Sequence, residues 1–209
     1  MPNTLQSPPQ QVQNGVSDDL LITAHAAMLA GRHFNQQASN LAKQGYMGAY
    51  PSSLGQEACQ VAAALALEPA DWLFPTYRDS VAVMSRGIDL AEVLSPFHGS
   101  SHCGYAPTKT HTAPEATPLA THTAHAVGLA MAAKFAGDST VALAMCGDGS
   151  ISEGDFHEAL NLAAVFETPV VFLVQNNGYA ISTPVSRQMR AASIAAKGEG
   201  YGMPAYRVD

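Results

Sequence analysis

Apolar residues recur at Leu20, Ala24, Met28, Gly31, Phe34, Ala38 and Leu41, the three-and-four spacing that lines one face of an α-helix. Ser17 can cap that helix, Asp18 and Asp19 suit its first turn, and Gly45 marks its end. The pattern predicts an alanine-rich helix over residues 56–67 and short helices over 80–85 and 90–94. A helix over 121–135 is nearly without side-chain bulk, because Ala126, Gly128, Ala130, Ala132 and Ala133 would let another helix backbone come close. Residues 141–145 and 170–174 are short apolar runs, the second rich in β-branched side chains, with a helical pattern over 153–166 between them. Strand, helix and strand in that order predict a βαβ unit with a buried parallel sheet. A helix near 191–196 and a last strand near 206–208 continue the alternation. The expected fold class is α/β, a parallel sheet flanked by helices with a helical amino-terminal region.

Two stretches resist this reading. Residues 71–79 mix aromatics, Pro75 and charges, and suit neither a clean helix nor a clean strand. Residues 96–118 are rich in Gly, Pro, Ser, Thr and His, a long loop of the kind that is usually functional or disordered. Residues 1–16, with Pro8, Pro9, four glutamines and Gly15 but no apolar period, read as a flexible leader before a domain over 17–209.

Composition narrows the function classes. The chain of 209 residues carries a formal charge of -7 with only 10 Lys+Arg, so no basic field exists to attract nucleic acid. Apolar residues make up 47% and charged residues 13%, as in a subunit that buries area against partners. The three cysteines are odd in number and lack paired spacing, which favours reduced thiols. No apolar run reaches the roughly 18 residues of a membrane span. The first basic residue is Arg32, so neither a signal nor a transit pattern is present, and a cytoplasmic protein is expected. His98, His102, Cys103 and His111 match no zinc spacing and read as surface imidazoles and a loop thiol.

The chemistry gathers after the two apolar runs. The first ends in Gly147-Asp148-Gly149-Ser150 and the second in Gln175-Asn176-Asn177-Gly178-Tyr179. In an open parallel sheet both tips sit at the carboxyl edge, where ligands bind. Asp148 offers an anionic oxygen, Asn177 an amide oxygen and the backbone near Tyr179 a free carbonyl, a hard-oxygen set that suits Mg2+. Gly147 and Gly149 allow close backbone approach, and the amides near Ser150 open a helix whose N-terminus favours anions. Ser152 with Asp155 has the spacing of a capping box. Glu153 and Asp155 would repel a diphosphate, so a divalent cation is needed to reverse the local sign. Each tip alone is also an ordinary turn signal. The dinucleotide fingerprint fails, since position 152 is Ser where a third glycine is required.

Gly147-Asp148-Gly149, then 26 residues, then Asn176-Asn177 resembles the thiamine-diphosphate motif. Gly55-Gln56-Glu57-Ala58, Pro75-Thr76-Tyr77-Arg78-Asp79, Ala126-Val127-Gly128, the run from Ser152 to Asn161 and the run from Asn176 to Ser186 extend the match. In that order they resemble the alpha subunits of the thiamine-diphosphate-dependent decarboxylating component of 2-oxo acid dehydrogenase complexes, from about residue 20 to the end. The resemblance implies a thiamine-diphosphate-binding fold, with Asp148, Asn177 and the Tyr179 carbonyl as Mg2+ ligands and Tyr77 and Arg78 as diphosphate contacts. The Arg78 guanidinium could fork onto phosphate oxygens. Thr117 and Leu119 match backbone contacts to the aminopyrimidine, and Gln175 falls where branched-chain members have an arginine near the diphosphate.

The implied reaction decarboxylates a 2-oxo acid and passes the acyl group to a lipoyl-bearing acyltransferase. The thiazolium ylid acts there as nucleophile and electron sink. The activating carboxylate belongs to a beta subunit in an alpha2beta2 heterotetramer. The family also has a longer stretch before the Pro118-Leu119-Ala120-Thr121 match and a histidine near the substrate; here His98, His102 and His111 all stand as candidates. The family continues past Val208-Asp209, so an incomplete copy is expected, and a non-catalytic packing or regulatory remnant remains the alternative.

Overall fold

The computed structural model describes residues 15–208. The leader predicted over 1–16 lies outside the described residues except for its last two. Helix α1 (Asp18–Lys43) begins as expected, with the Ser17 hydroxyl accepting from the Leu20 amide at 3.2 Å. Its apolar stripe is covered only in the second half: Gly31, Phe34, Asn35 and Ala38 are buried, while Leu20, Leu21, Ile22 and Leu29 are exposed. Helices α2 (Glu57–Leu65), α3 (Ser80–Ser85) and α4 (Leu90–Leu94) follow where the sequence predicts them.

Strand β1 (Trp72–Phe74) lies in the stretch that read as neither helix nor strand. With β2 (Ala142–Gly147) and β3 (Val170–Gln175) it makes a parallel sheet of order β1-β2-β3. Three residues are too few for a period to be seen, and Pro75 directly behind them hides the strand further. The predicted long loop is partly structured as well. It holds a 3-10 turn (Ser95–His98) and the short α5 (Pro107–Thr110), after which residues 111–116 run alongside β1. Ala113 donates to the Leu73 carbonyl at 2.8 Å, and Tyr77 donates to that of Ala116 at 3.1 Å.

Helices α6 (Thr121–Ala136) and α7 (Gly154–Phe166) pack on one face of the sheet. The central strand β2 shows how the sequence arranges this. Ala142, Ala144 and Cys146 point to the α6–α7 side, joined by Ala126, Ala130, Phe156 and Leu160. Leu143 and Met145 point the other way, into a core with Phe34, Ala64, Leu73, Val83 and Val93. Small side chains on both α6 and β2 bring the helix close to the strand, which accounts for the low bulk read from the sequence. Gly128 lies on the opposite side, with open space where a Cβ would stand.

Several boundaries change. Ser152 and Asp155 do not form a capping box: Glu153 occupies the N-cap with no side-chain bond, and Asp155 accepts from the Thr121 hydroxyl at 3.2 Å instead. A 3-10 turn (Ser150–Ser152) intervenes between β2 and α7 and shifts the helix start past the pair. The helix predicted near 191–196 is α9 (Ala195–Gly200), after α8 (Val185–Gln188), and residues 206–208 form no strand. A small antiparallel pair, β4 (Tyr179–Ala180) with β5 (Thr183–Pro184), closes the segment after β3. Among the described residues no helix is long and apolar enough to cross a membrane.

Candidate functional site

The register of β2 and β3 sets the two tips side by side, since Gly147 pairs with Gln175. Asp148 follows the first paired residue at once, and Asn177 lies two residues past the second. The Asp148 side chain is 1% exposed, and one of its oxygens accepts from the Gln188 amide of α8 at 3.3 Å. A carboxylate held at a strand tip by one neutral donor is the kind of hard oxygen that suits a divalent cation. Asn177 accepts from the Tyr179 amide at 3.1 Å, the Asx turn that its sequence suggests, and Asn176 does the same for Gly178 at 3.0 Å. The tip of β3 is thereby held in a fixed bend, with the Tyr179 ring exposed.

The glycines and the hydroxyl beside them also fit a ligand. A Cβ on Gly149 would stand 2.9 Å from that of Ala180, with Leu119 next at 3.7 Å, whereas the space beside Gly147 is open. The Ser150 hydroxyl is fully buried without a hydrogen-bond partner. Two non-glycine residues with positive φ flank this corner, Ala120 at 63° and Ile181 at 56°. Backbone strain of that kind costs about 1–3 kcal/mol each and concentrates at functional sites.

Tyr77, Arg78 and Thr117 come to the same edge by another route. The Ala116–Tyr77 hydrogen bond sets Thr117 beside the turn that follows β1. Arg78 is half-buried, donates to the Ser52 carbonyl at 2.7 Å and lies 5.6 Å from the centre of the Tyr77 ring, which orients its fork. Thr117 and Leu119 are exposed, and the Leu119 carbonyl accepts from Thr121 at 2.9 Å. Gln175 is turned inward: its amide donates to Asp79 at 2.6 Å and its carbonyl accepts from Gln60 at 3.4 Å. Both ends of its amide are therefore engaged by the chain itself.

That support was invisible in the sequence. Asp79 is fully buried and accepts from the Thr76 amide and hydroxyl at 2.8 and 2.7 Å, besides Gln175. Burial drives its carboxyl up, against those three donors. The Tyr77–Arg78 turn is thus pinned to β3 through residues 96 positions apart. Beside it His122 donates to the Met145 carbonyl at 2.6 Å, and burial pushes its imidazole below the ordinary value. Gln188 is likewise 40 positions from Asp148, with no local pattern to announce it.

The three loop histidines and Cys103 do not converge. His102 accepts from the Gly104 amide at 3.0 Å, Cys103 donates to the Tyr105 carbonyl, and His111 reaches the Pro69 carbonyl at 2.7 Å while stacking on Trp72. Among the described residues no group of three or more His, Cys, Asp or Glu is placed to hold a metal. The oxygen set at 148, 177 and 179 is of a different kind.

Fold and site together define a parallel α/β domain in which the Gly147–Ser150 and Gln175–Tyr179 tips share the carboxyl edge of the sheet. The chain belongs to the dehydrogenase E1 component family, whose model matches residues 25–209. A Mycobacterium tuberculosis protein named 3-methyl-2-oxobutanoate dehydrogenase subunit alpha is 48% identical over 192 residues, 92% of this chain and 52% of that one. The pyruvate dehydrogenase E1 component subunit alpha of Staphylococcus aureus is 35% identical over 194 residues, 93% of this chain and 52% of the other. A solved structure of a candidate thiamin diphosphate-dependent enzyme from Mycobacterium smegmatis, 21% identical, gives a TM-score of 0.45 over 69% of this chain and 25% of that chain. The chain spans about half the length of the curated relatives it matches.

Proposed function

We propose that this chain supplies the diphosphate and metal half of a thiamine diphosphate site in the alpha subunit of a 2-oxo acid dehydrogenase. The observation that carries the reading is the buried Asp148 at the β2 tip beside the bent Asn177–Tyr179 tip of β3, in a chain of this family. Asp148, the Asn177 amide oxygen and the Tyr179 carbonyl would hold Mg2+, whose remaining ligands come from phosphate and water. Arg78 and Tyr77 would hold the diphosphate from the β1 side. Gly147 would leave room and the buried Ser150 hydroxyl a donor on the β2 side, while Gly149 lets Ala180 close against the same tip. Thr117 and Leu119 would bound the ring end through their backbone. The cofactor, when bound, supplies the nucleophile and electron sink for decarboxylation of the 2-oxo acid.

On this reading the chain works as an alpha2beta2 assembly with a beta subunit and hands the acyl group to a lipoyl carrier. Such an assembly would sit in a reducing cytoplasm, where cysteines stay as thiols. The chain alone is then expected to turn over no 2-oxo acid, because the activating carboxylate is the partner's. Acyl transfer to lipoamide by the isolated chain would refute that division of labour. The exposed Gly128 side of α6 is the proposed subunit contact. Gly128→Leu adds bulk where nothing in the chain itself is displaced. It should lower the oligomeric mass in sedimentation while the thermal transition of the protomer persists; an unchanged mass would remove α6 from the interface.

Arg78→Lys tests the diphosphate clamp. Lysine keeps the charge but loses the planar fork and its stacking on Tyr77, so cofactor affinity should fall by about 1–3 kcal/mol, as for a charged hydrogen bond. Calorimetric titration of thiamine diphosphate with Mg2+ into the complete assembly reads this directly. Equal affinity in parent and variant would take Arg78 out of the site.

A further inference from the structure

Glu115 is a half-buried acid with one carboxyl oxygen out of water's reach, and the cofactor reading leaves it unused. It sits on the 111–116 segment, between Ala113, which bonds to Leu73, and Ala116, which donates to Pro75 at 3.0 Å and accepts from Tyr77 at 3.1 Å. The Ser80 hydroxyl, at the start of α3, donates to one Glu115 oxygen at 3.0 Å. The other oxygen is out of water's reach and has no partner. Such an oxygen is tolerated on a neutral acid and costly on a carboxylate. Burial pushes this carboxyl up to about 8, with the Ser80 hydroxyl opposing and the Asp79 carboxyl adding to the rise.

The groups around it offer little relief to a negative charge. Asp79 and Ser80 face it from the turn into α3. Tyr50, ahead of α2, and Tyr105, with Cys103 beside it, face it from the remaining sides, and both phenols are driven upward by burial first and by Glu115 second. Arg78 lies near Tyr50 but is committed to the Ser52 carbonyl and the Tyr77 ring. His122 lies beyond, near Asp79, and burial favours its neutral form.

We propose that Glu115 is a positioning residue: its protonated carboxyl, held by Ser80, clamps the segment bearing Thr117 beside the turn bearing Tyr77 and Arg78, and its ionisation loosens the cofactor's seat. This rests on the cofactor reading above. Two carboxylates, Glu115 and Asp79, would otherwise share one pocket without a free cation. The folded chain keeps a proton that the unfolded chain gives up near the ordinary Glu value of about 4.3, so this group lowers stability progressively as pH rises from there to about 8. Only above about 8 does the ionised acid appear in the folded chain, and there the clamp releases.

Cofactor titration and amide exchange on the complete assembly, at pH 7 and pH 9, test this. In the parent, affinity for thiamine diphosphate with Mg2+ falls between the two by up to about tenfold, the limit if only the protonated acid supports binding. Protection factors of the Ala116 and Tyr77 amides fall with it. Glu115→Gln keeps an acceptor for Ser80 and stays neutral, so both readouts stay level. Ser80→Ala removes the donor and lowers Ala116 protection already at pH 7. A flat parent profile, or a Glu115→Gln profile that follows the parent, overturns the clamp. Lost protection without lost affinity overturns its link to the cofactor. A parent that binds no cofactor at either pH overturns the cofactor reading, and the exchange data still decide for or against the clamp.

Discussion

Asp148→Asn should leave the ligand-free assembly about as stable as the parent and remove most of its Mg2+-dependent cofactor binding. Asparagine preserves the turn between Gly147 and Gly149 and can still accept from Gln188, so the local structure has no reason to change. Removing a charge from a side chain that is 1% exposed relieves desolvation rather than adding to it. What is lost is the anionic oxygen that a hard cation needs. Saturating cofactor with Mg2+ at roughly 100 times its dissociation constant should stabilise the parent by about 2.7 kcal/mol, and the variant by far less, with partial recovery at high metal. Thermal denaturation with and without cofactor and metal measures this. If the variant's Tm rose by the parent's full amount with the same metal dependence, Asp148 would be a turn residue only.

Gly104→Ala should be among the most destabilising single substitutions in the chain, costing about 2–5 kcal/mol from two sources that act together. Its φ of 91° disfavours any side chain, and a Cβ there would stand 2.0 Å from the Glu92 carbonyl oxygen and 2.9 Å from the Ser95 Cβ. Backbone cannot yield as the end of a flexible side chain does. Gly99 provides the control, because its φ of 85° is similar but nothing lies within 4 Å. Gly99→Ala should therefore cost only the conformational part, about 1–2 kcal/mol. Denaturant midpoints at unchanged slope compare the two. Equal costs would mean that the close approach of residue 104 to α4 does not exist. The effect reaches the site as well, since Tyr105 donates to the Ala113 carbonyl at 2.8 Å and so fixes the segment that leads to Thr117.

The sequence by itself determined the elements that are long and periodic, and the chemistry that is local in the chain. Helices α1, α6 and α7 and strands β2 and β3 repeat often enough for a period to show, and the Gly147–Ser150 and Gln175–Tyr179 tips follow from the strands they end. The parallel order expected of two such runs around a helix puts both tips on one edge. Tertiary structure decided the rest. β1 is three residues long and its neighbour at 111–116 is bound through isolated bridges, so neither has a pattern of its own. The outer half of α1 carries the same apolar spacing as the inner half, yet only the inner half finds something to cover it, because burial depends on what packs there and not on spacing. The direction of the Gln175 side chain at its strand end is settled by its partners Asp79 and Gln60, which no local pattern announces. The bonds that join Gln60 to Arg78 and Gln175, Gln175 to Asp79, Gln188 to Asp148 and Ser80 to Glu115 link residues 18 to 115 positions apart. A single chain records such contacts only once it is folded, since nothing in local propensity or periodicity distinguishes a glutamine that will meet a buried carboxylate from one that will face water.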